Sequence, residues 1–149
     1  MATYTAIATV NVTSATNSIT FSSIPQTYTD LCVFYSLRDT SGGSRYTDID
    51  ATVNSQSSVN ARTVYSVGGG ISSYAPAANR IQAVGTTATA SMFSNDMVYY
   101  ANYTTSDVKA LFSDAAAENK ATGNLDFAIT FNSGVIVNGT GITTITLTS

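Results

Sequence analysis

Apolar and polar residues alternate with a period of two along most of the chain, and this pattern predicts β-strands. The first alternating stretch covers residues 6–12. The second covers residues 19–21 and ends before Pro25, because a proline ring removes a backbone hydrogen-bond donor. Further alternating stretches predict strands over residues 49–53, 61–67, 81–84, 125–131, 135–137 and 142–149.

Two stretches are apolar on both faces. Residues 31–38 carry Cys32 and Phe34 on the face opposite a row of aliphatic and tyrosine side chains, which predicts a central strand covered on both sides. Cys32 is then expected to be a small buried residue. Residues 92–103 form the richest apolar stretch, and a strand there is expected to begin with a kink near residues 94–96.

Residues 106–120 fit two kinds of secondary structure. Ser106 is a residue type that caps helices, and the apolar residues that follow it have helical spacing. Those residues are Val108, Leu111, Phe112 and Ala115. Alternate residues from 108 to 112 are also apolar, which fits a strand. The local pattern slightly favours the helix.

Several connections are marked by turn-forming residues. Residues 39–44 are expected to form a loop, residues 54–58 a polar turn and residues 132–134 a second turn, while Asn138-Gly139 is a hairpin signal. Residues 68–80 begin with three glycines and form the longest connection. Loops longer than about 12 residues are often functional, so we predict that this segment is exposed and makes contacts.

The spacing of these elements predicts the fold class. About eight to ten short strands without a linker or an exact repeat are typical of sandwiches and jelly rolls. We therefore expect one all-β domain over residues 1–149, an antiparallel two-sheet β-sandwich with a jelly-roll arrangement.

Composition excludes several classes of function. Only 10% of residues are charged, whereas 57 of 149 are Ser, Thr, Asn or Gln, so hydroxyls and amides keep the chain soluble. The absence of histidine excludes a Ser-His-Asp or Cys-His nucleophile system, and the single cysteine excludes an intrachain disulfide. A net charge of −3 disfavours nucleic acid as a partner. No apolar run is long enough to span a membrane, and the first ten residues lack the features of a secretory signal.

The candidate chemistry is sparse. Asp48 and Asp50 share one face of a predicted strand and would supply two of the ~6 oxygen ligands of a Ca²⁺ site, or else form a solvated strand face. Glu118 is the only glutamate, and with Asp126 or Asp114 it would give the carboxylate pair of a glycosidase. Any chain with nine carboxylates offers such pairs. We predict no catalytic, cofactor-binding or metal-binding residues.

Three tyrosines lie close together in the sequence, at Tyr99, Tyr100 and Tyr103. Tyrosine has a large apolar ring and a polar tip, so it suits both interfaces and sugar stacking. Packing in the core with hydroxyls at the rim is the simpler interpretation.

The first 40 and the last 8 residues resemble a family of small virion-associated proteins of tailed bacteriophages, common in phages of marine and freshwater bacteria, including cyanophages. The resemblance is carried by the MATYT start, residues 19–25, residues 27–31, Arg38 and the closing residues 142–148. It implies a non-enzymatic β-sandwich or jelly roll on the particle surface, and a strand at residues 107–117. Relatives often continue into a further strand after the closing one, so we expect an open sheet edge that pairs with another chain.

The leading hypothesis is a capsid decoration (cement) protein on the outer head surface, without enzymatic activity or cofactor. Its expected partners are the major capsid protein and copies of itself, with a homotrimer as the first expectation and a dimer as the next. The alternative is a tail, baseplate or fibre component that binds a host-surface glycan through residues 68–80 and the three tyrosines. A depolymerase is disfavoured because histidine is absent and Glu118 is the only glutamate.

Overall fold

The computed structural model describes residues 3–41, 46–56, 59–67, 70–118, 127–137 and 139–149. These residues form ten β-strands, and no helix among them is long and apolar enough to cross a membrane. The strands are β1 (Ser18–Phe21), β2 (Leu31–Tyr35), β3 (Tyr46–Val53), β4 (Asn60–Val67), β5 (Gly70–Tyr74), β6 (Asn79–Val84), β7 (Asn95–Tyr100), β8 (Lys109–Glu118), β9 (Phe127–Ile136) and β10 (Ile145–Thr148).

The strands form two antiparallel sheets. The four-stranded sheet has the order β1-β10-β3-β6, and the six-stranded sheet has the order β2-β7-β8-β9-β4-β5. If the meander β7-β8-β9 is counted as one position, the two orders are those of the eight-stranded jelly roll. The expected all-β, two-sheet fold is confirmed, and the two additional strands enlarge one of its sheets.

The core lies between the two sheets and follows from the alternation of the sequence. Inward positions of β3 and β10 are apolar, and they pack against inward residues of β7, β8 and β9. Members of this core are Ile49, Ala51, Val53, Ile81, Val98, Tyr100, Leu111, Ile136, Ile145 and Leu147. A smaller cluster of Val84, Ala88, Ala117 and Ala128 lies beside it.

The strand predicted over residues 6–12 is wrong for the single chain. None of residues 3–17 is in a strand, and all of them are exposed. Alternation alone does not form a strand, because the strand also needs a neighbour to which it can hydrogen-bond.

The ambiguous segment 106–120 is a strand where the structure describes it. Strand β8 pairs with β7 on one side and with β9 on the other. The two ladders place Leu111, Ser113 and Ala115 on the inward face, where they are buried, and this outweighs the weak helical preference of the local pattern.

Strand β2 lies at an edge of its sheet, so the prediction of a central strand covered on both sides is wrong. Its inward residues join the core, but Phe34 on the outward face is 69% exposed. Cys32 is half-buried rather than buried, and burial raises the pKa of its thiol. The outward apolar residues of β2 are therefore not covered by other parts of the same chain.

Two predicted connections are strands. Residues 70–74 of the predicted loop 68–80 form β5, the other edge of the six-stranded sheet, and residues 79–80 begin β6. The turn predicted at residues 132–134 lies inside the continuous strand β9. Gly134 is opposite Ala61, and a Cβ added to it would lie 2.7 Å from the Cβ of Ala61. This glycine permits a close approach of two strands and does not form a turn.

The chain end also differs from expectation. Strand β10 lies between β1 and β3, so both of its edges are paired and the closing strand leaves no open edge. The segment around Gly139 joins β9 of one sheet to β10 of the other, so it does not form a hairpin between paired strands. Asn138, residues 42–45, residues 57–58 and residues 125–126 lie outside the described residues.

Candidate functional site

The outer face of the six-stranded sheet carries the largest set of exposed apolar side chains. One row runs across five strands in register, from Phe34 through Met97, Asp114 and Phe131 to Val64. A second row contains Cys32, Tyr99 and Phe112. We call this surface the apolar face, defined by Cys32, Phe34, Val64, Ile71, Met97, Tyr99, Phe112, Ile129 and Phe131.

Several members of the apolar face are open to solvent. Ile71 is 80% exposed, and Phe112 and Phe131 expose more than two fifths of their surface. Among the described side chains of this face, Asp114 and Arg62 are charged, and the Asp30 carboxylate lies at one end of the face. Large contiguous apolar patches on a soluble protein mark interaction sites more often than single exposed residues do.

The outer face of the four-stranded sheet is different in chemistry. Thr20 and Thr146 lie side by side, with their hydroxyl oxygens 3.1 Å apart, and the Thr52 hydroxyl donates to the backbone oxygen of Thr146. Asp48 and Asp50 lie on the same side and bind Arg80. One outer face of the sandwich is therefore apolar, and the other carries threonine hydroxyls and charged side chains.

The three sequence-predicted tyrosines do not form one site. Tyr100 and Tyr103 are fully buried in the core, and the Tyr103 hydroxyl donates to the backbone oxygen of Pro25. Tyr99 faces outward and its hydroxyl donates to Asp30 at 2.6 Å. Two of the three rings are therefore unable to stack on a sugar.

Asp30 fixes one end of the apolar face. Its carboxylate accepts hydrogen bonds from the Tyr99 hydroxyl and from the backbone N–H of Asn102 at 2.8 Å. These bonds lower the pKa of Asp30, and the same contact raises the pKa of Tyr99. The turn after β7 is thereby tied to the start of β2, and the Tyr99 ring is held on the outer surface.

A small polar cleft lies where β3 and β6 meet the inner side of β4, β5 and β9. Its volume is about 180 Å³. The rings of Tyr65 and Tyr74 meet edge to face at 5.7 Å within it. The cleft is lined by Tyr46, Asp48, Thr63, Tyr65, Tyr74, Arg80, Gln82 and Thr130.

The carboxylate pair considered as a metal site is used inside the protein. Asp48 and Asp50 share a face, as expected, and Arg80 contacts them at 3.2 Å and 3.1 Å. In the part of the chain that the structure describes, no three His, Cys, Asp or Glu side chains are grouped to hold a metal ion.

The glycosidase pair is not brought together in the described residues. Asp114 lies on the outer face of the six-stranded sheet, and Asp126 lies outside the described residues, as does the side chain of Glu118.

Two features of the fold were not predicted from the sequence. The apolar face was signalled by apolar residues on both sides of β2 and β7, but its exposure depends on which strands lie at the sheet edges. The second feature is Asp96, a carboxylate that is 2% exposed and accepts a hydrogen bond of 2.6 Å from Ser94. Burial raises the pKa of Asp96 to about 7, although the hydrogen bond from Ser94 acts in the opposite direction.

Comparisons with family models, curated proteins and solved structures gave no match for this chain.

Proposed function

We propose that this protein is a structural component of a tailed-phage virion, a capsid decoration protein that binds the outer surface of the major capsid protein shell and stabilises the head. The observation that carries the proposal is the pair of unlike outer faces, one apolar and one lined by threonine hydroxyls. The resemblance of the first 40 residues to virion-associated proteins supports the viral setting.

The apolar face supplies a physical means of attachment. Burying one large apolar side chain is worth about 1.5–3 kcal/mol, whereas association costs about 4–15 kcal/mol. Several rings must therefore be buried together, and Phe34, Phe112 and Phe131 lie on one surface. The scarcity of charge on this face means that few ions would lose their hydration on contact.

Copies of the chain bound side by side would multiply this effect. A molecule that contacts both the shell and its neighbours gains avidity, because each additional contact becomes intramolecular once the first has formed. A homotrimer, or else a dimer, would suit such a layer. The role is associative, so it needs no catalytic residue, cofactor or metal.

Copy number per particle tests the proposal. Quantitative mass spectrometry of purified virions is expected to find on the order of hundreds of copies, because a decoration protein repeats with the shell. Chemical cross-linking in the same particles is expected to join the chain to the major capsid protein. At most a few dozen copies, with cross-links to tail proteins, would overturn the decoration role.

A second candidate is the tail, baseplate or fibre component that binds a host-surface glycan. The polar cleft favours it, since three tyrosine rings, an arginine and a glutamine surround a space of about 180 Å³. Saturation-transfer NMR with host polysaccharide fragments would detect such binding, and loss of signal in Tyr74→Ala would locate it.

A further inference from the structure

Residues 3–17, which we call the arm, precede β1 and join neither sheet. All fifteen residues are exposed. Within the described part of the chain, residues 3–15 make no hydrogen bond, and the first contacts of this kind involve Thr16 and Asn17. The backbone donors and acceptors of the arm are thus open to water or to another chain.

The sequence of the arm is that of a strand. Ala6, Ala8, Val10 and Val12 lie on one side of an extended chain, with Ile7 among the residues on the other side. Residues 3–17 contain no proline, no glycine and no charged residue, and they are rich in threonine and valine, which favour strands. The arm therefore has the pattern of a β-strand without the neighbour that a strand requires.

The same chain carries a matching edge. Strand β2 is the outermost strand of the six-stranded sheet and pairs with β7 on one side only, as far as the described residues extend. Natural sheet edges are usually blocked by charge, proline or a bulge, and Leu31–Tyr35 contains neither a charged residue nor proline. Phe34 at this edge is the most exposed aromatic ring of the apolar face.

Other edges are less suitable. The backbone oxygen of Arg80, at the outer edge of β6, already accepts a hydrogen bond from Asn132. Strand β1 has only four residues and continues directly from the arm. Strand β5, at the opposite edge of the sheet, begins with Gly70 and contains two serines, so it is a weaker strand than the apolar Leu31–Tyr35.

We propose that the arm of one copy adds to the β2 edge of a neighbouring copy, as the seventh strand of that copy's larger sheet. The added strand would satisfy the open backbone groups of the arm and those at the free edge of β2. Because donor and acceptor belong to one chain, the exchange forms a reciprocal dimer, or a cyclic trimer where the rotation between successive copies closes the ring. This inference rests on the self-association named in the proposed function and gives it a structural basis.

Truncation of the arm tests the exchange. A chain lacking residues 3–15 is expected to remain folded, since these residues make no hydrogen bond within the chain, and its melting temperature is expected to lose the dependence on protein concentration that an oligomer shows. Light scattering is expected to show a monomer, while the full chain is a dimer or trimer. Val10→Pro is expected to behave like the truncation, because proline removes a ladder donor, and Val10→Thr is the matched control that keeps strand propensity.

Cross-linking to Cys32 locates the contact. Cysteines are placed singly at Ile7, Thr9 and Asn11, and the protein is oxidised at alkaline pH because half-burial raises the pKa of the Cys32 thiol. A disulfide needs Cα atoms within about 7 Å, so one position is expected to link chains into covalent dimers or trimers. The same variants with Cys32→Ser should remain monomeric on a non-reducing gel.

Three results would overturn the exchange: a full chain that is monomeric, an oligomer that survives removal of the arm, or a disulfide formed only within one chain. A monomeric chain whose arm is needed solely for binding to shells would mean that the arm docks on the capsid. Failure of an arm-exchanged oligomer to bind shells would count against the decoration role alone.

Discussion

The guanidinium of Arg38 lies against the backbone of Thr89, and its Nη1 donates a hydrogen bond of 2.8 Å to that residue's carbonyl oxygen. Further hydrogen bonds from the same guanidinium reach the carbonyl oxygens of Thr86, Ala88 and Met92. One side chain thus holds the connection between β6 and β7 in a single conformation. These contacts give Arg38 a structural role.

Replacement of Arg38 should therefore destabilise the fold. In Arg38→Met the carbonyl oxygens of the connection lose a charged donor, and hydrogen bonds to charged groups are worth about 1.5–3 kcal/mol. We expect the free energy of unfolding, measured in urea, to fall by about 2–3 kcal/mol. Arg62→Met removes the same charge from the exposed outer face of β4 and should change it by less than about 0.5 kcal/mol. Equal effects of the two substitutions would contradict this role.

Gly134 should tolerate no side chain. A methyl group at this position would overlap the Cβ of Ala61 and the backbone oxygen of Asn60, so β4 and β9 would have to move apart. Gly134→Ala is expected to lower the free energy of unfolding by about 1–3 kcal/mol. At Gly139 an added Cβ would meet nothing within 4 Å, so Gly139→Ala is the control and should remain close to wild type. A stable Gly134→Ala would mean that the two strands are farther apart.

Asp96 should make stability depend on pH. Its folded pKa of about 7 lies above the ordinary value of 3.8, so the folded state keeps a proton that the unfolded state releases. Stability is therefore expected to fall as pH rises from about 4 to about 7, and to stay lower above that. Asp114 adds to the effect through its negative charge.

The variant Asp96→Asn isolates this contribution. Its stability relative to wild type should grow from near zero at about pH 4 to at most about 4 kcal/mol at about pH 8, using ~1.4 kcal/mol per pKa unit. Asp107→Asn removes one charge from an exposed turn and serves as the control. Parallel pH profiles for wild type and Asp96→Asn would show that Asp96 ionises normally.

The apolar face should control attachment to the shell. Phe131 is 45% exposed near the centre of this face, and losing its burial would weaken binding by about 1.5–3 kcal/mol, or roughly 10- to 100-fold. Phe131→Ser is expected to reduce the amount of purified protein that binds to phage particles from which this protein is absent. Phe93→Ser makes the same change at a ring 55% exposed in the connection before β7, and loading should be unchanged. If both variants bind to the particles equally well, the apolar face is not the attachment site.

Much of the fold was predictable because the inward residues of a half-buried strand repeat every second position. Ile49, Ala51 and Val53 were identified in this way, and they are core residues. The pattern does not say which strand lies beside which, so the exposure of Phe34 could not be deduced from it. Local spacing also favoured a helix around Leu111, where pairing with two neighbouring strands decides the structure.

The candidate surface was only partly predictable for the same reason. Apolar residues on both faces of β2 were interpreted as coverage by the rest of the chain, but the outward ones belong to an exposed surface. Gly134 was interpreted as a turn because glycine serves both turns and close strand contacts. Only the register with Ala61 distinguishes the two uses.

The unlike outer faces have a consequence for the number of layers that the protein could form on a shell. A molecule that binds by its apolar side presents threonine hydroxyls outward, as at Thr20 and Thr146. This outward side has little apolar surface that the apolar face of a second molecule could bury. Coating by such a protein would stop after one layer without any separate signal. The thickness of the coat would then be set by the chemistry of the two sides of a single sandwich.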